Sequence, residues 1–293
     1  MNLSEFLDLW MDTYIKPNRK RKTGEAYKYA LAHLSAEILA TELELITPIA
    51  LQREINALAA KYSRQAQLLH VGLSAALRKA ENLGMVTRSP MVHVEAPRHE
   101  KKEIAYFSPA EASAYIREAE KLNGGKLLIL MLCLGLRRNE ARGLRCGDLD
   151  KDGILKIRHQ RGPDGLQPLK TKASRREIPV PEALWPFFDG PEGEYLADIS
   201  ETALRRRHFA AMRAAGIDQQ VTLHGLRHTC ATMAIVDGAQ LATVQRLLGH
   251  ARFAVTAETY VHISRDLLAG CTKKITGAFY CHHMEEGARL EIV

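Results

Sequence analysis

The sequence predicts a mainly α-helical protein with a small antiparallel β-sheet, in which a helical N-terminal domain precedes an α+β domain. Apolar residues recur at helical spacing through residues 2–86, but their period shortens toward two between residues 151 and 180. Residues 87–105 contain two prolines and no apolar periodicity, which is typical of an exposed, mobile linker. We therefore expect a helical domain at 1–86, a linker at 87–105, a second domain at 106–280 and a flexible tail at 281–293.

Helix-start signals place about four helices in the N-terminal domain. Asn2 and Glu5 form a capping pattern for a first helix that runs to about residue 15. Thr23 is a candidate cap for a second helix to about residue 35. Thr47, followed by a proline, opens a third helix to about residue 60, and Ser63 opens a fourth to about residue 83.

Composition favours a soluble protein with a polyanionic partner. The chain has 293 residues, of which 46% are apolar, and a formal net charge of +7. A basic balance suits phosphate contacts, although it is weak evidence by itself. No apolar run approaches the roughly 20 residues of a membrane span and no signal peptide is evident, so we expect a cytoplasmic protein without a membrane partner.

The cysteines indicate neither disulfides nor a metal site. There are five, an odd number without framework spacing, so reduced thiols are expected. Cys271 and Cys281, with His282 and His283 beside the latter, fit no common zinc spacing. We expect no metal.

Basic residues cluster before the second helix. Arg19, Lys20, Arg21 and Lys22 belong to the run at 16–22, which holds five cations. Such a run is either a solvated loop or a contact with the DNA backbone, and the sequence alone leaves both possible.

The second domain opens with clear helix signals and then changes period. Ser108 and Glu111 form a capping box for a helix to about residue 121, and residues 126–134 form an apolar helix that Gly135 interrupts. Residues 154–159, 166–170 and 176–180 are predicted to form three short antiparallel strands. A later helix from about residue 200 to residue 215 carries Arg205 and Arg206, which face either DNA or solvent.

Residues 222–262 contain the residue types of an anion site. His224 and Arg227 are three apart on a predicted helix, so they share a face. Gly249 suits the end of a helix and places His250 at a corner, and Tyr260 follows ten residues later. An arginine fork matches phosphate oxygens, histidine transfers protons near neutrality and a tyrosine hydroxyl can form an ester. Each element alone is more often structural, but their order within one short run is specific.

These residues carry a family resemblance. The segments HGLRHT at 224–229, LLGH at 247–250 and ETYVH at 258–262 resemble the second active-site box of the tyrosine recombinase, or phage integrase, family. LGLRRNE at 134–140 resembles its first box, and KTKASRR at 170–176 resembles its lysine hairpin.

The resemblance implies a catalytic set of Arg137, Lys170, His224, Arg227, His250 and Tyr260. Tyr260 would attack a DNA phosphodiester to give a 3′-phosphotyrosine, with His224 accepting its proton and Lys170 protonating the leaving 5′ oxygen. The arginines and His250 would bind the phosphate oxygens. Lys172 is the other candidate for the catalytic lysine, or else a DNA contact. No cofactor is needed because the phosphotyrosine conserves the bond energy.

Apart from this resemblance, Arg137 next to Gly135 is expected to be half-buried, and its charge then needs an anionic partner. Glu140 or a ligand phosphate could supply it.

The function predicted from this resemblance is site-specific DNA recombination, for integration or excision of a mobile element. The helical domain would be the core-binding domain that clamps double-stranded DNA, four protomers would assemble on DNA, and accessory DNA-bending proteins are possible partners. Two alternatives stay open: a type IB topoisomerase-like nicking and closing enzyme, and a DNA-binding regulator without cleavage activity. Many integrases of this family carry an additional arm-binding domain, but this sequence starts directly with the helical unit, so we expect a simple recombinase, a divergent integrase or a truncated one. When it acts on DNA, the protein would be associated with the nucleoid.

Overall fold

A computed structural model describes residues 1–98, 104–163, 165–169 and 171–249, without the side chain of Lys172. Contacts divide the chain into two compact units, Met1–Lys102 and Glu103–Val293. Within the described ranges the secondary structure is mainly helical with short antiparallel strands, which confirms the predicted fold class.

The first unit is helical throughout its described residues. Its helices are α1 (Leu3–Trp10, continued by a π-helical turn at Met11–Ile15), α2 (Arg21–Leu31), α3 (Ala36–Ala40), α4 (Pro48–Ala59) and α5 (Ser63–Asn82), with 3-10 turns at Leu43–Leu45 and Pro90–His93. The long helix α5 packs against α2 and α4, and its residues Leu69, Leu73 and Leu77 are fully buried. Burial of this apolar stripe stabilises the unit.

Two of the predicted helix caps are present, whereas a third was assigned to the wrong residue. The Asn2 side chain and the Glu5 carboxylate form a reciprocal capping box, and Thr47 caps α4. Thr23 does not cap α2, because the helix already begins at Arg21 and the Thr23 amide donates to the Lys20 carbonyl over 2.8 Å. The cations at positions 21 and 22 therefore lie in the first helical turn rather than in a loop.

The expected linker begins later than residue 87. Met91 and Val94 are 6% and 7% exposed and belong to the core of the first unit. The Glu95 amide donates to the Gln52 side chain of α4 over 2.8 Å. The expectation of exposure is therefore wrong for Met91 and Val94, because a 3-10 turn brings the few apolar side chains of this segment onto α4 and α5 without helical periodicity.

The second unit contains six helices and four strands among its described residues. The helices are α6 (Pro109–Glu120), α7 (Gly125–Leu134), α8 (Arg138–Gly143), α9 (Glu201–Ala214), α10 (Leu223–Val236) and α11 (Leu241–Leu248), with 3-10 turns at Lys172–Ser174 and Glu182–Phe188. The apolar helix α7 is central, since it packs against α6, α8, α9 and α10. Its position brings the loop after it, at residues 135–137, next to α10.

The strands form two small sheets instead of the single three-stranded sheet that was expected. Strand β1 (Ile154–Ile157) pairs antiparallel with β4 (Arg176–Pro179), and β2 (His159–Gly162) pairs antiparallel with β3 (Gly165–Pro168). The predicted first strand is interrupted at Arg158, and its last residue, His159, begins β2, which forms a separate hairpin with β3. The β1–β4 pair positions residues 172–176 beside α11.

Candidate active site

Arg227 is a buried cation at the centre of the second unit. Helix α10 starts at a Thr222 cap, whose hydroxyl accepts from the Gly225 amide over 3.1 Å. One turn later Arg227 is only 2% exposed, and it donates to the Gly135 carbonyl over 2.7 Å and to the Leu248 carbonyl over 2.5 Å. A buried guanidinium needs such acceptors because its desolvation is costly. Arg227 thus connects the ends of α7 and α11.

Arg137 lies on the adjacent loop and is more accessible. Gly135 ends α7 with a φ of 62°, a left-handed conformation that favours glycine, and Arg137 becomes the N-cap of α8. Its guanidinium donates to the Glu140 carboxylate over 2.7 Å and to the Gly249 carbonyl over 2.8 Å. The side chain is still 35% exposed, so it can meet a ligand.

Glu140 is the anionic partner that the sequence analysis expected for a half-buried Arg137. Its side chain is 2% exposed and forms ion pairs with Arg137 over 2.7 Å and with Arg176 of β4 over 2.9 Å. Burial alone would raise the pKa of Glu140, but the charge and hydrogen bond of Arg176, followed by those of Arg137, lower it below its ordinary value. The group is a buried carboxylate between two guanidinium groups.

Three arginines meet the last carbonyls of α11. Arg176 donates to Leu247 over 2.6 Å, Arg227 to Leu248 over 2.5 Å and Arg137 to Gly249 over 2.8 Å. The final carbonyls of a helix have no partner within the helix and carry the negative end of its dipole, so cations are favoured there. Neighbouring acceptors on one turn bring these guanidinium groups together at the point where the chain enters residue 250.

His224 shares this environment. Partial desolvation, followed by the positive charges of Arg227, Arg137 and Arg138, lowers the pKa of His224. Its ring is therefore neutral near pH 7 and can accept a proton. The structure thus brings together three of the six residues predicted to be catalytic, namely Arg137, His224 and Arg227.

The structure describes only some of the other predicted site residues. Lys170, His250 and Tyr260 lie outside the described residues, and Lys172 begins a 3-10 turn. The expected DNA contacts Arg19, Lys20, Arg21, Lys22, Arg205 and Arg206 are all exposed, the first four around the start of α2 and the last two on α9. Within the described ranges, no cluster of histidine, cysteine and acidic side chains could hold a metal ion, and no helix could cross a membrane.

The sequence analysis did not single out the basic groove beside the two sheets. A cavity of about 450 Å³ is lined by residues that include Arg158, His159 and Arg175, and both Arg158 and Arg175 are exposed. Such a surface suits a polyanion. The sequence signal was weak because β4, with Arg175 before it, becomes a neighbour of residues 156–159 only by pairing with β1.

Known protein families match both units of the chain. The model of the phage integrase family matches residues 196–266, and the model of the phage integrase N-terminal SAM-like domain matches residues 2–59. The XerC-like tyrosine recombinase of Caldanaerobacter subterraneus subsp. tengcongensis is 25% identical over 90% of this chain and 80% of its own. The tyrosine recombinase XerD of Pseudomonas aeruginosa is 26% identical over 91% and 94%.

Both units of the chain are thus similar to proteins of the tyrosine recombinase family. Tyrosine recombinases are DNA breaking and rejoining enzymes. The match to XerC of Pelobacter propionicus, at 28% identity, covers 64% of each protein.

Solved structures of integrases share the fold. The Tn1549 transposon integrase, in complex with transposon right end DNA, superposes with a TM-score of 0.77 at 16% identity over 94% of this chain and all of that one. A lambda integrase dimer bound to a COC′ core site gives a TM-score of 0.70 at 20% identity, over 87% and 97%.

Proposed function

We propose that this chain is a site-specific DNA recombinase that cuts and rejoins strands through a covalent 3′-phosphotyrosine formed by Tyr260. The main support is the convergence of Arg137 and Arg227 at the end of α11, beside a neutral His224. Two preorganised guanidinium groups suit the charge that develops on the non-bridging oxygens when phosphorus becomes five-coordinate.

The proposed reaction balances without a metal or a nucleotide. The Tyr260 oxygen bonds to phosphorus and its proton passes to His224, while the bond from phosphorus to the 5′ oxygen breaks and that oxygen takes a proton from Lys170. His250 donates a hydrogen bond to the phosphate. A 5′-hydroxyl of another strand then attacks the phosphotyrosine, which restores the tyrosine and joins the new strand.

Strand exchange between two duplexes involves four strands, so we propose four active sites in a tetramer on DNA. The exposed cations of α2 and α9 and the basic groove beside the sheets would contact the DNA backbone. We propose integration or excision of a mobile element as the biological role. The alternative biological role is the resolution of chromosome dimers. Similarity to proteins named XerC and XerD favours this alternative.

A covalent-trapping experiment tests the chemistry. Short nicked duplexes of randomised sequence are incubated with the full chain, and the DNA that stays attached to protein in detergent is recovered and sequenced. We expect an adduct with the wild type and none with Tyr260→Phe. Absence of a wild-type adduct would contradict the proposed function.

A second assay separates recombination from the topoisomerase alternative. The recovered sequence is placed on two different duplexes and on a supercoiled plasmid. Joining of the two duplexes supports recombination, whereas relaxation without joining would favour a nicking and closing enzyme.

A further inference from the structure

We propose that Arg176 is a positioning residue for DNA cleavage: through Glu140 and the last turn of α11 it orients Arg137 and the chain that enters residue 250. The proposal rests on the function proposed above and assigns a role to a residue that the predicted catalytic set omits.

Arg176 is too enclosed to bind DNA directly. Its side chain is 6% exposed, against 35% for Arg137, and its three donor nitrogens all have acceptors within the protein. Nη2 donates to Glu140 over 2.9 Å, Nε to the Leu247 carbonyl over 2.6 Å and Nη1 to the Ser174 carbonyl over 3.1 Å. Arg176 therefore acts through the groups that it holds.

The Glu140 carboxylate couples Arg176 to Arg137. One Glu140 oxygen accepts from the Arg137 guanidinium over 2.7 Å, while the other accepts both from the Arg137 amide and from Arg176, each over 2.9 Å. Without Arg176, this buried carboxylate would lose an ion pair and a hydrogen bond, although its ion pair with Arg137 would remain. The geometry of Arg137 would then be less strictly fixed, because its partner could move.

The last turn of α11 provides a second connection. Arg176 and Arg137 donate to the carbonyls of Leu247 and Gly249, so both arginines hold one helix end. A side chain at Gly249 would lie 2.9 Å from the Ala173 carbonyl and 3.2 Å from Arg176 Cδ, which shows how closely this turn packs on the residues before β4. Losing Arg176 would therefore loosen both Arg137 and the entry to residue 250.

Three variants test this role: Arg176→Met removes the donors, Arg176→Lys keeps the charge but cannot reach three acceptors, and Arg117→Met is the control. Arg117 is exposed on α6 of the same unit, so its replacement removes the same charge without touching Glu140. DNA affinity and the adduct rate at saturating DNA are measured on the trapped duplex, after circular dichroism has shown each variant to be folded.

For Arg176→Met we expect an adduct rate at least about tenfold below wild type, with DNA affinity within about twofold, since misplaced catalytic groups slow chemistry more than binding. Arg176→Lys should recover part of the rate, and Arg117→Met should keep the wild-type rate at saturation. In a Glu140→Gln background, Arg176→Met should cost less than it does alone, because the two residues act as one unit.

The outcomes distinguish this proposal from the proposed function. If the wild type forms no adduct, the proposed function fails, and the positioning role fails with it. If the wild type forms an adduct and folded Arg176→Met forms it at the same saturated rate, the positioning role alone is overturned. Full additivity with Glu140→Gln would also overturn it, as would a purely affinity-based loss.

Discussion

Arg227 donates a 2.7 Å hydrogen bond to the carbonyl of Gly135, which lies two residues before Arg137. This hydrogen bond to the main chain keeps the two arginines close together. The second donor of Arg227 reaches the Leu248 carbonyl and that of Arg137 reaches Gly249. The two guanidinium groups are therefore fixed before any ligand binds, which is the condition for preorganised electrostatic catalysis.

Replacing either arginine should greatly slow cleavage but leave most of the DNA affinity. The variants are Arg137→Ala and, because Arg227 is buried and its charge should be kept, Arg227→Lys. For both we expect the cleavage rate to fall about a hundredfold or more, the usual effect of losing one preorganised donor. DNA affinity depends on many contacts with the DNA backbone, so it should change little. The rate of adduct trapping measures cleavage, and gel-shift titration measures DNA affinity.

Arg117→Ala is the control for these variants, since Arg117 is exposed on α6 and its replacement removes the same charge. Wild-type cleavage by folded Arg137→Ala or Arg227→Lys would contradict the assigned roles.

Gly249→Ala should reduce stability and cleavage by more than its backbone strain alone predicts, because the added Cβ also meets neighbouring atoms. Gly249 has a φ of 63°, and an added Cβ would lie 2.9 Å from the Ala173 carbonyl. Gly216 is the matched control, with a φ of 68° and no atom within 4 Å of the added carbon. Both variants should lose roughly 1 kcal/mol for the left-handed conformation, but only Gly249→Ala should lose more stability and also lose cleavage. Equal losses in urea unfolding would contradict the close packing at Gly249.

Acid should destabilise the second unit through two buried histidines. Burial lowers the pKa of His208, and burial followed by the charge of His224 lowers that of His228 to about 4. The unfolded chain, with histidine pKa values near 6.5, then binds more protons, so the free energy of unfolding should fall as the pH drops from about 6.5 to about 4. Urea titrations over this range measure the slope.

His228→Asn should flatten that slope, whereas His93→Asn, which replaces an exposed histidine of the first unit, should leave it as in the wild type. An unchanged slope in His228→Asn would show that another group dominates.

Met91→Ala should destabilise the first unit even though Met91 lies in the segment expected to be a linker. Met91 is 6% exposed among the residues of the core, so truncation should cost about 2 kcal/mol or more. Val92 next to it is 58% exposed, and Val92→Ala should change the free energy of unfolding little. Denaturant unfolding compares the two, and equal effects would place residue 91 outside the core.

Salt dependence should reveal whether the start of α2 binds DNA phosphates. The double variant Lys20→Ala with Lys22→Ala removes two exposed cations, and Arg53→Ala with Lys61→Ala removes two others from the same unit. If the first pair binds phosphates, the slope of log affinity against log salt should decrease in magnitude by about one for each phosphate that is no longer neutralised. The control should keep the wild-type slope, and identical slopes for all three proteins would rule out this role for the two lysines.

The sequence predicted features that depend on neighbouring residues better than features that depend on distant ones. The capping box of Ser108 and Glu111 and the end of α7 at Gly135 are present where local chemistry placed them. The single β-sheet was wrong because strand pairing is not local, and the exposure expected of residue 91 was wrong because the burial of Met91 depends on α4 and α5.

Residue types and order alone determined the helical first unit, the mixed second unit and the resemblance to tyrosine recombinases, because helix caps, apolar periods and motif spacings are written within short segments. Only the tertiary structure decided that Glu140 is shared by Arg137 and Arg176, and that three arginines meet consecutive carbonyls at the end of α11. The physical reason is that buried charges must find partners. Most of those partners lie tens of residues away in the chain and become neighbours only when the helices and strands pack.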